Sequence, residues 1–252
     1  RPRNAAYRDE SPRMLDLDGA IRVTRQEAPA EGPAARRRTI VKSDLFVHQP
    51  IFDRLVAAVA AGRRVLLVGP PGAGKTMLAR RLPTVLPTVL PPLTPEEQTE
   101  VASVYTAAGL PAPAARPFRA PHHTISTAAM VGGGRVARPG EVSLADHGVL
   151  FLDELPEFSR ATLESLRQPV EDGCVTVTRA RRTVTFPCRL LLVSAMNSCP
   201  CGWAGAGGAR ARWCECSTVA VEHYFARVEW FASAAERIDV PLWRPTRQAN
   251  AE

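Results

Sequence analysis

Residues 69–76 read Gly-Pro-Pro-Gly-Ala-Gly-Lys-Thr, with three glycines ahead of a lysine and a threonine. Glycines at this spacing let backbone N–H groups turn toward one anion, and a helix that opens here adds its partial positive charge. Lys75 is suited to reach two phosphates of a nucleotide, and the Thr76 hydroxyl is suited to a Mg²⁺ shell. The sequence therefore predicts a nucleotide-phosphate site that consists of Gly69, Pro70, Pro71, Gly72, Ala73, Gly74, Lys75 and Thr76.

Polar side chains also follow two other apolar runs. Val149–Leu152 is followed by Asp153 and Glu154, a pair that could hold Mg²⁺ through water and polarise an attacking water. Residues 190–194 lead to Asn197, whose amide could orient that water, although asparagine also caps turns well. We predict Glu154 and Asn197 as catalytic residues, and Thr76 and Asp153 as magnesium ligands.

Four of the six cysteines form two close pairs, Cys199 with Cys201 and Cys214 with Cys216. Two pairs separated by about a dozen residues can converge on one Zn²⁺, with four thiolates closing a structural site. The C-x-C spacing is tighter than the usual C-x-x-C, so free thiols or redox chemistry remain alternatives to zinc. The other two cysteines, in or beside the hairpin described below, are interpreted as small apolar residues.

The elements that must position these residues alternate between strand and helix. A helical apolar period starts at Ile51 and ends at Gly62, and the strand-like residues 64–68 lead into the phosphate loop. Helices are predicted over residues 77–82 and 159–170. This alternation predicts an α/β fold with a parallel sheet covered by helices on both faces.

A β-hairpin is predicted just before the third of the motif strands. Residues 175–178 and 183–186 alternate like paired strands around a tip with Arg179, Arg181 and Arg182. Arginines at such a tip suit a phosphate backbone, because they combine long reach, permanent charge and bidentate geometry. A solvated turn that keeps the hairpin soluble is the alternative interpretation.

Several stretches resemble the magnesium-chelatase-like AAA+ ATPases of the ComM/YifB group. They are Arg-Pro-Phe-Arg-Ala-Pro-His-His-Thr-Ile-Ser at 116–126, Gly-Gly-Gly at 132–134, Arg-Pro-Gly-Glu-Val-Ser-Leu-Ala at 138–145, Phe-Leu-Asp-Glu-Leu-Pro-Glu-Phe at 151–158 and Cys-Pro-Cys-Gly at 199–202. The resemblance extends from about residue 44 to residue 240. It implies a P-loop NTPase core of the AAA+ type with a hairpin insertion, in a nucleotide-dependent motor that forms homo-oligomeric rings.

For the ComM branch, the resemblance implies a DNA helicase that promotes branch migration in recombination, with ATP and Mg²⁺ as cofactors. DNA would then be the partner of the hairpin arginines. The true chelatase subunits instead drive metal insertion into a porphyrin, so a motor that acts on a protein partner is an alternative. A nucleotide-binding remnant that turns ATP over poorly is another.

The family has an arginine that reaches the nucleotide of the neighbouring subunit, and Arg237 corresponds to it. Its surroundings, Ala-Ala-Glu-Arg-Ile-Asp at 234–239, replace two leucines of the family pattern by alanines and an aspartate by glutamate. His122 and His123 are assigned no chemistry, because adjacent histidines on a strand would point in opposite directions. We expect them to pack or hydrogen-bond within a family-specific insertion.

The composition of the chain excludes several classes of protein. Among 252 residues, 45% are hydrophobic and 23% charged, which excludes a wholly disordered, collagen-like or fibrous chain. The net charge of +7 and the excess of 30 arginines over two lysines point toward polyanions, although a GC-rich genome explains the arginines as well. Apolar runs stay short of the roughly 20 residues that span a bilayer, and the start lacks a signal-peptide core. We therefore expect a cytoplasmic protein with no membrane partner.

The predicted domain organisation has three parts. Residues 1–40 are expected to form a poorly ordered leader or linker. Residues 41–241 are expected to form the ATPase core, with a cysteine-rich loop at 196–217. Residues 242–252 are expected to be a tail, without the helical lid and N-terminal domain of full-length relatives, as in a truncated copy.

Overall fold

The structure, a computed structural model, describes residues 49–133, 137–179, 182–205 and 213–242. Of Arg179 and Arg182 it describes only the backbone. The predicted leader at 1–40 and residues 243–252 of the predicted tail lie outside the described ranges.

Nine strands are present in the described ranges. They are β1 (Val65–Val68), β2 (Phe118–Arg119), β3 (Gly132–Gly133), β4 (Arg138–Pro139), β5 (Val149–Leu152), β6 (Cys174–Arg179), β7 (Arg182–Pro187), β8 (Leu191–Met196) and β9 (Glu236–Asp239). Five of them form one parallel sheet in the order β2-β5-β8-β1-β9. Because β1, β5 and β8 are neighbours and point the same way, the residues that follow them meet at one edge of the sheet.

Helices cover both faces of this sheet. They are α1 (Gln49–Ala60), α2 (Lys75–Ala79), α3 (Leu82–Val89), α4 (Pro95–Ala108), α5 (Thr127–Val131), α6 (Glu141–Leu144), α7 (Arg160–Asp172), α8 (Thr218–Ala226) and α9 (Glu229–Ala232), with a 3₁₀ turn at Leu155–Glu157. Alternate strand residues point to opposite faces. Val65 and Leu67 therefore pack with α1, α2 and α3, whereas Leu66 and Val68 pack with α5, α7 and α9. The arrangement confirms the predicted α/β fold.

The segment after α2 differs from the prediction of one helix over 77–82. The helix α2 ends at Ala79, and α3 starts at Leu82 with Pro83 in its first turn. Pro83 has no N–H to donate to the Ala79 carbonyl, which favours a break between the two helices, although Pro87 is accommodated inside α3. The Leu-Pro-Thr-Val repeat over 82–89 forms α3, and its two leucines, four residues apart, are both buried.

The predicted hairpin consists of β6 and β7, which pair antiparallel from Cys174↔Pro187 to Arg179↔Arg182. One face packs on the core through Val175, Val177 and Phe186. The other face exposes threonines, whose hydroxyls pair across the strands at 3.1 and 3.3 Å. Arg181, at the tip, lies outside the described residues.

None of the helices in the described ranges combines the length and the apolar content that crossing a membrane requires.

Candidate functional site

The phosphate loop leaves β1 after Val68 and ends where α2 begins at Lys75. Gly72 and Gly74 have φ values of 76° and 88°, in the left-handed region that glycine enters without steric cost. At Gly69 the restriction is space, because a Cβ there would collide with the carbonyl oxygen of Val240. The glycine pattern predicted from sequence thus has a steric reason at each of the three positions, positive φ at two of them and close packing at the third.

The Lys75 ammonium lies inside this loop. Its Nζ donates to the carbonyl oxygens of Gly69 and Pro70 at 2.7 and 2.9 Å, and to Asn197 Oδ1 at 3.1 Å. The residue is 8% exposed, and this burial lowers the pKa of Lys75 from its ordinary value, while the charges of Asp153 and Glu154 oppose the shift. The loop is therefore closed around a cation that the chain itself supplies.

The second strand end lies against the same loop. The Thr76 hydroxyl donates to Asp153 Oδ2 at 2.6 Å, which joins the start of α2 to the end of β5. Glu154 has a φ of 53°, and this left-handed backbone costs about 1–2 kcal/mol in a residue with a side chain. Its side chain is 57% exposed. The backbone thus turns at Glu154 and leaves its carboxylate open to solvent beside the half-buried Asp153–Thr76 pair.

A histidine that the sequence analysis assigned no chemistry touches the predicted base. His123 Nδ1 lies 3.0 Å from Glu154 Oε2. The His122 ring packs against the His123 ring with centroids 4.0 Å apart, and Phe158 meets His123 edge-on at 6.4 Å. The ring of His123 is therefore held in place from two sides and faces the carboxylate.

An ion pair joins two of the stretches that resemble the family, residues 116–126 and 138–145. Arg119, at the end of β2, forms a bidentate ion pair with Glu141 at 2.6 and 2.7 Å, a geometry in which Arg is stronger than Lys. Arg116 donates to the carbonyl oxygen of His147 at 2.7 Å. These contacts hold the segment that leads to His123 against the sheet.

The family model described as magnesium chelatase, subunit ChlI, matches residues 47–251 of this chain. The chain belongs to this magnesium chelatase family. Competence protein ComM of Haemophilus influenzae is 45% identical over 166 residues, YifB of Escherichia coli K12 49% over 160, and Rv2897c of Mycobacterium tuberculosis H37Rv 42% over 200. These alignments cover 66%, 64% and 77% of this chain, but 33%, 32% and 38% of the relatives. The chain thus spans about a third of the length of these relatives.

Membership confirms the resemblance to magnesium-chelatase-like AAA+ ATPases and the P-loop NTPase fold inferred from it. Within the matched residues lie the three groups that the sequence analysis predicted, at 69–76, 153–154 and 197. The structure brings these three together, since Lys75 contacts Asn197 and Thr76 contacts Asp153.

Arg237 lies away from the group formed by the phosphate loop, Asp153 and Asn197. It is in β9, at the edge of the sheet, and its guanidinium contacts Asp239 at 3.0 Å and lies over the Phe225 ring at 5.7 Å. The neighbouring Glu236 binds Arg54 and Arg63, both at 3.0 Å. Among the described contacts, Arg237 does not join the phosphate-loop group, and its side chain is 53% exposed.

The cysteine-rich loop starts directly after β8. The Sγ atoms of Cys199, Cys201, Cys214 and Cys216 all lie within 4.8 Å of one another. A hydrogen bond with the backbone of Trp203 lowers the pKa of the Cys201 thiol to about 7. The structure therefore brings together the four cysteines that the sequence analysis grouped.

Proposed function

We propose that this chain is the core of a motor that binds ATP with Mg²⁺ and hydrolyses it in the cytoplasm. The observation that supports the proposal is the pair of side-chain contacts that joins three neighbouring strand ends. Thr76 to Asp153 links the start of α2, which follows β1, to the end of β5, and Lys75 to Asn197 links it to the end of β8. A cation, a hydroxyl, carboxylates and an amide at one edge are the groups that phosphoryl transfer to water requires.

The residues present fit a nucleotide with Mg²⁺. The Thr76 hydroxyl and Asp153 carboxylate are the hard oxygen donors that Mg²⁺ prefers, and they already lie 2.6 Å apart. The loop backbone borders open space at Gly72, where a Cβ would meet nothing within 4 Å. Bound there, Mg²⁺ would neutralise charge on the phosphate oxygens, while Lys75 supplies a second positive charge.

Glu154 is the residue that we assign to activating water. Its carboxylate is exposed at the strand end, next to the buried groups that hold the phosphates, and His123 fixes the direction in which it points. Asn197 accepts from Lys75 through Oδ1, which leaves its NH₂ group to donate to the attacking water or a phosphate oxygen. Together these groups position the water and remove its proton.

The test is the variant Glu154→Gln, which keeps the shape of the side chain and removes its basicity. We expect MgATP to bind as in the parent chain, while the turnover rate at saturating ATP falls by about 10²–10⁴-fold, as for loss of a general base. Glu157→Gln is the matched control, because Glu157 is also exposed and lies three residues further on. Equal turnover in the parent and Glu154→Gln chains, or none in the parent, would instead indicate a nucleotide-binding remnant.

For the substrate on which the motor acts, we favour DNA, as in branch migration. The hairpin supports this, since its Val175–Phe186 face is packed on the core and its tip carries Arg179, Arg181 and Arg182. The net charge of +7 favours the same class of partner. The contact with the phosphate backbone is assigned to these three arginines.

Branched DNA should stimulate ATP turnover, and replacing the three tip arginines by alanine should abolish the stimulation. Removing one arginine–phosphate interaction should reduce the salt slope of log affinity by about 0.9. A chain with Arg63, Arg160 and Arg167 replaced by alanine loses the same charge at exposed positions elsewhere and should keep the stimulation. If branched DNA does not change the ATP turnover rate of the parent chain, this assignment is overturned and a chelatase-type motor with a protein partner is favoured.

The proposal includes a homo-oligomeric ring in which Arg237 acts on the nucleotide of a neighbouring subunit. What supports it is the place of this arginine on the edge strand β9 and its exposed side chain, which Asp239 and Phe225 hold at the surface. An arginine finger acts within contact distance of the transferred phosphate. Mixing Arg237→Ala subunits with Glu154→Gln subunits should therefore restore part of the turnover that neither has alone.

A further inference from the structure

The first cysteine of the cysteine-rich loop, Cys199, lies two residues after Asn197, and the loop ends where α8 begins. Within the described residues, Cys199 is fully buried, whereas Cys201 is exposed. Cys214 and Cys216 approach them from beyond residues 206–212, which lie outside the described ranges. Four thiols from two separate segments thus meet at one point.

The distances between the sulfur atoms are closer to those of a metal site than to those of a disulfide. The Sγ atom of Cys199 lies 3.3 Å from that of Cys201 and 3.8 Å from that of Cys214. Zn–S bonds of about 2.3 Å in a tetrahedron place sulfur atoms about 3.8 Å apart, whereas a disulfide requires about 2.05 Å. The backbone N–H of Ala204 also donates to Cys199 Sγ at 3.3 Å, as outer-shell donors do around metal-bound thiolates.

The same loop lies directly on the phosphate loop. A Cβ at Gly202 would come within 2.5 and 2.6 Å of the Pro71 ring and 3.7 Å of Asn197 Cγ. The turn that places Gly202 there is held from inside, because its N–H donates to the Cys199 carbonyl at 2.9 Å and its carbonyl accepts from the Ser198 hydroxyl at 3.2 Å. The position of the cysteine turn therefore determines the space around Pro71 and Asn197.

We propose that Cys199, Cys201, Cys214 and Cys216 bind one Zn²⁺ as a structural tetrathiolate, and that this ion holds Gly202 against Pro71 of the phosphate loop. Zinc occupancy then controls how well the nucleotide site is formed. The metal site stands on its own geometry, and the control of nucleotide binding rests on the proposed function.

The metal site is tested by elemental analysis of the full chain purified under reducing conditions and reconstituted with zinc. We expect about one zinc per chain, its loss in Cys201→Ser and in Cys216→Ser, and its retention in Cys174→Ser, a control whose cysteine lies at the base of the hairpin. Cobalt in place of zinc should give the absorption bands of a tetrahedral tetrathiolate. A chain without zinc after reconstitution, full zinc in both loop variants, or a thiol count that reveals disulfides would each overturn the proposal.

The control of the nucleotide site is tested on the parent chain by removing zinc with a chelator and then restoring it. We expect the affinity for a fluorescent ATP analogue with Mg²⁺ to fall by roughly 10–100-fold without zinc, as for small displacements of positioning groups, and to recover with zinc. Equal affinities in both states would overturn the coupling.

Lys75→Ala separates this coupling from the proposed function. This variant should lose the nucleotide and keep its zinc. If the parent chain holds zinc but binds no nucleotide in either state, the proposed function fails while the metal site stands.

Discussion

The phosphate loop and the cysteine-rich loop are both irregular segments, and they differ in the source of the cation that can hold them in place. Both leave the carboxyl ends of neighbouring parallel strands, β1 and β8, and both turn through glycines with positive φ, at Gly72 and Gly202. The phosphate loop is closed by Lys75, which donates to two of its carbonyl oxygens. The cysteine-rich loop instead gathers four thiols, which need a cation from outside.

The two loops differ in whether their conformation is organised before a ligand binds. A loop with an internal ammonium is organised by folding alone, whereas a loop of converging thiols gains its full stability when a metal binds. Since Gly202 packs on Pro71, the phosphate loop, which folding alone organises, contacts the cysteine-rich loop, which we propose to bind a metal. The following variants test whether the two are organised independently.

The largest effect is expected for Lys75→Ala. Loss of a buried cation aimed at developing negative charge should reduce turnover by about 10²–10³-fold or more, and nucleotide binding should fall with it. Zinc content should remain unchanged, because Lys75 is not part of the cysteine loop. Lys75→Arg is the informative partner, since a planar guanidinium should not fit the space between the two carbonyls. Normal activity in the arginine variant would mean that charge alone organises the loop.

An intermediate effect is expected for Gly202→Ala compared with Gly205→Ala. Both glycines have positive φ, 85° and 68°, so each variant should lose about 1–2 kcal/mol of unfolding free energy. Only at Gly202 does the added methyl group also press on Pro71, whereas at Gly205 it meets nothing within 4 Å. Nucleotide affinity, measured by titration, should therefore fall about tenfold in the first variant and stay at the parent value in the second. Equal affinities would show that the two loops are not in mechanical contact.

The smallest effect is expected for His123→Ala. The His123–Glu154 contact, 3.0 Å between Nδ1 and Oε2, is one polar contact at a partly exposed position, worth up to about 1 kcal/mol or roughly fivefold in rate. It should appear in kcat and leave KM unchanged, because His123 orients the carboxylate and does not hold the nucleotide. His123→Asn, which keeps an N–H near the position of Nδ1, should restore most of the rate. A change in KM alone would contradict the positioning role.

The grouping of the proposed nucleotide-site residues could be predicted from sequence because it depends on strand ends. Asp153, Glu154 and Asn197 each follow an apolar run, and in a parallel sheet the carboxyl ends of such runs meet at one edge. Lys75 and Thr76 follow from the glycine pattern of the loop itself. Local spacing thus sufficed wherever a regular element set the position.

Contacts between irregular segments could not be predicted in this way. His123 reaches Glu154 from a loop after β2 that has no periodicity, and its ring is held there by His122 and Phe158. The reasoning that adjacent histidines diverge applies to strands, and here both residues lie in a loop. The packing of Gly202 on Pro71 likewise depends on a loop-to-loop approach that no sequence pattern encodes.

The close approach at Gly69 has a mechanical consequence. Val240 donates its N–H to the Val68 carbonyl at 2.7 Å, and its own carbonyl fills the space where a side chain at residue 69 would lie. The residue that follows β9 and the first residue of the phosphate loop are therefore in contact through backbone atoms, with no flexible side chain between them. A displacement of Val240 would have to move Gly69 as well.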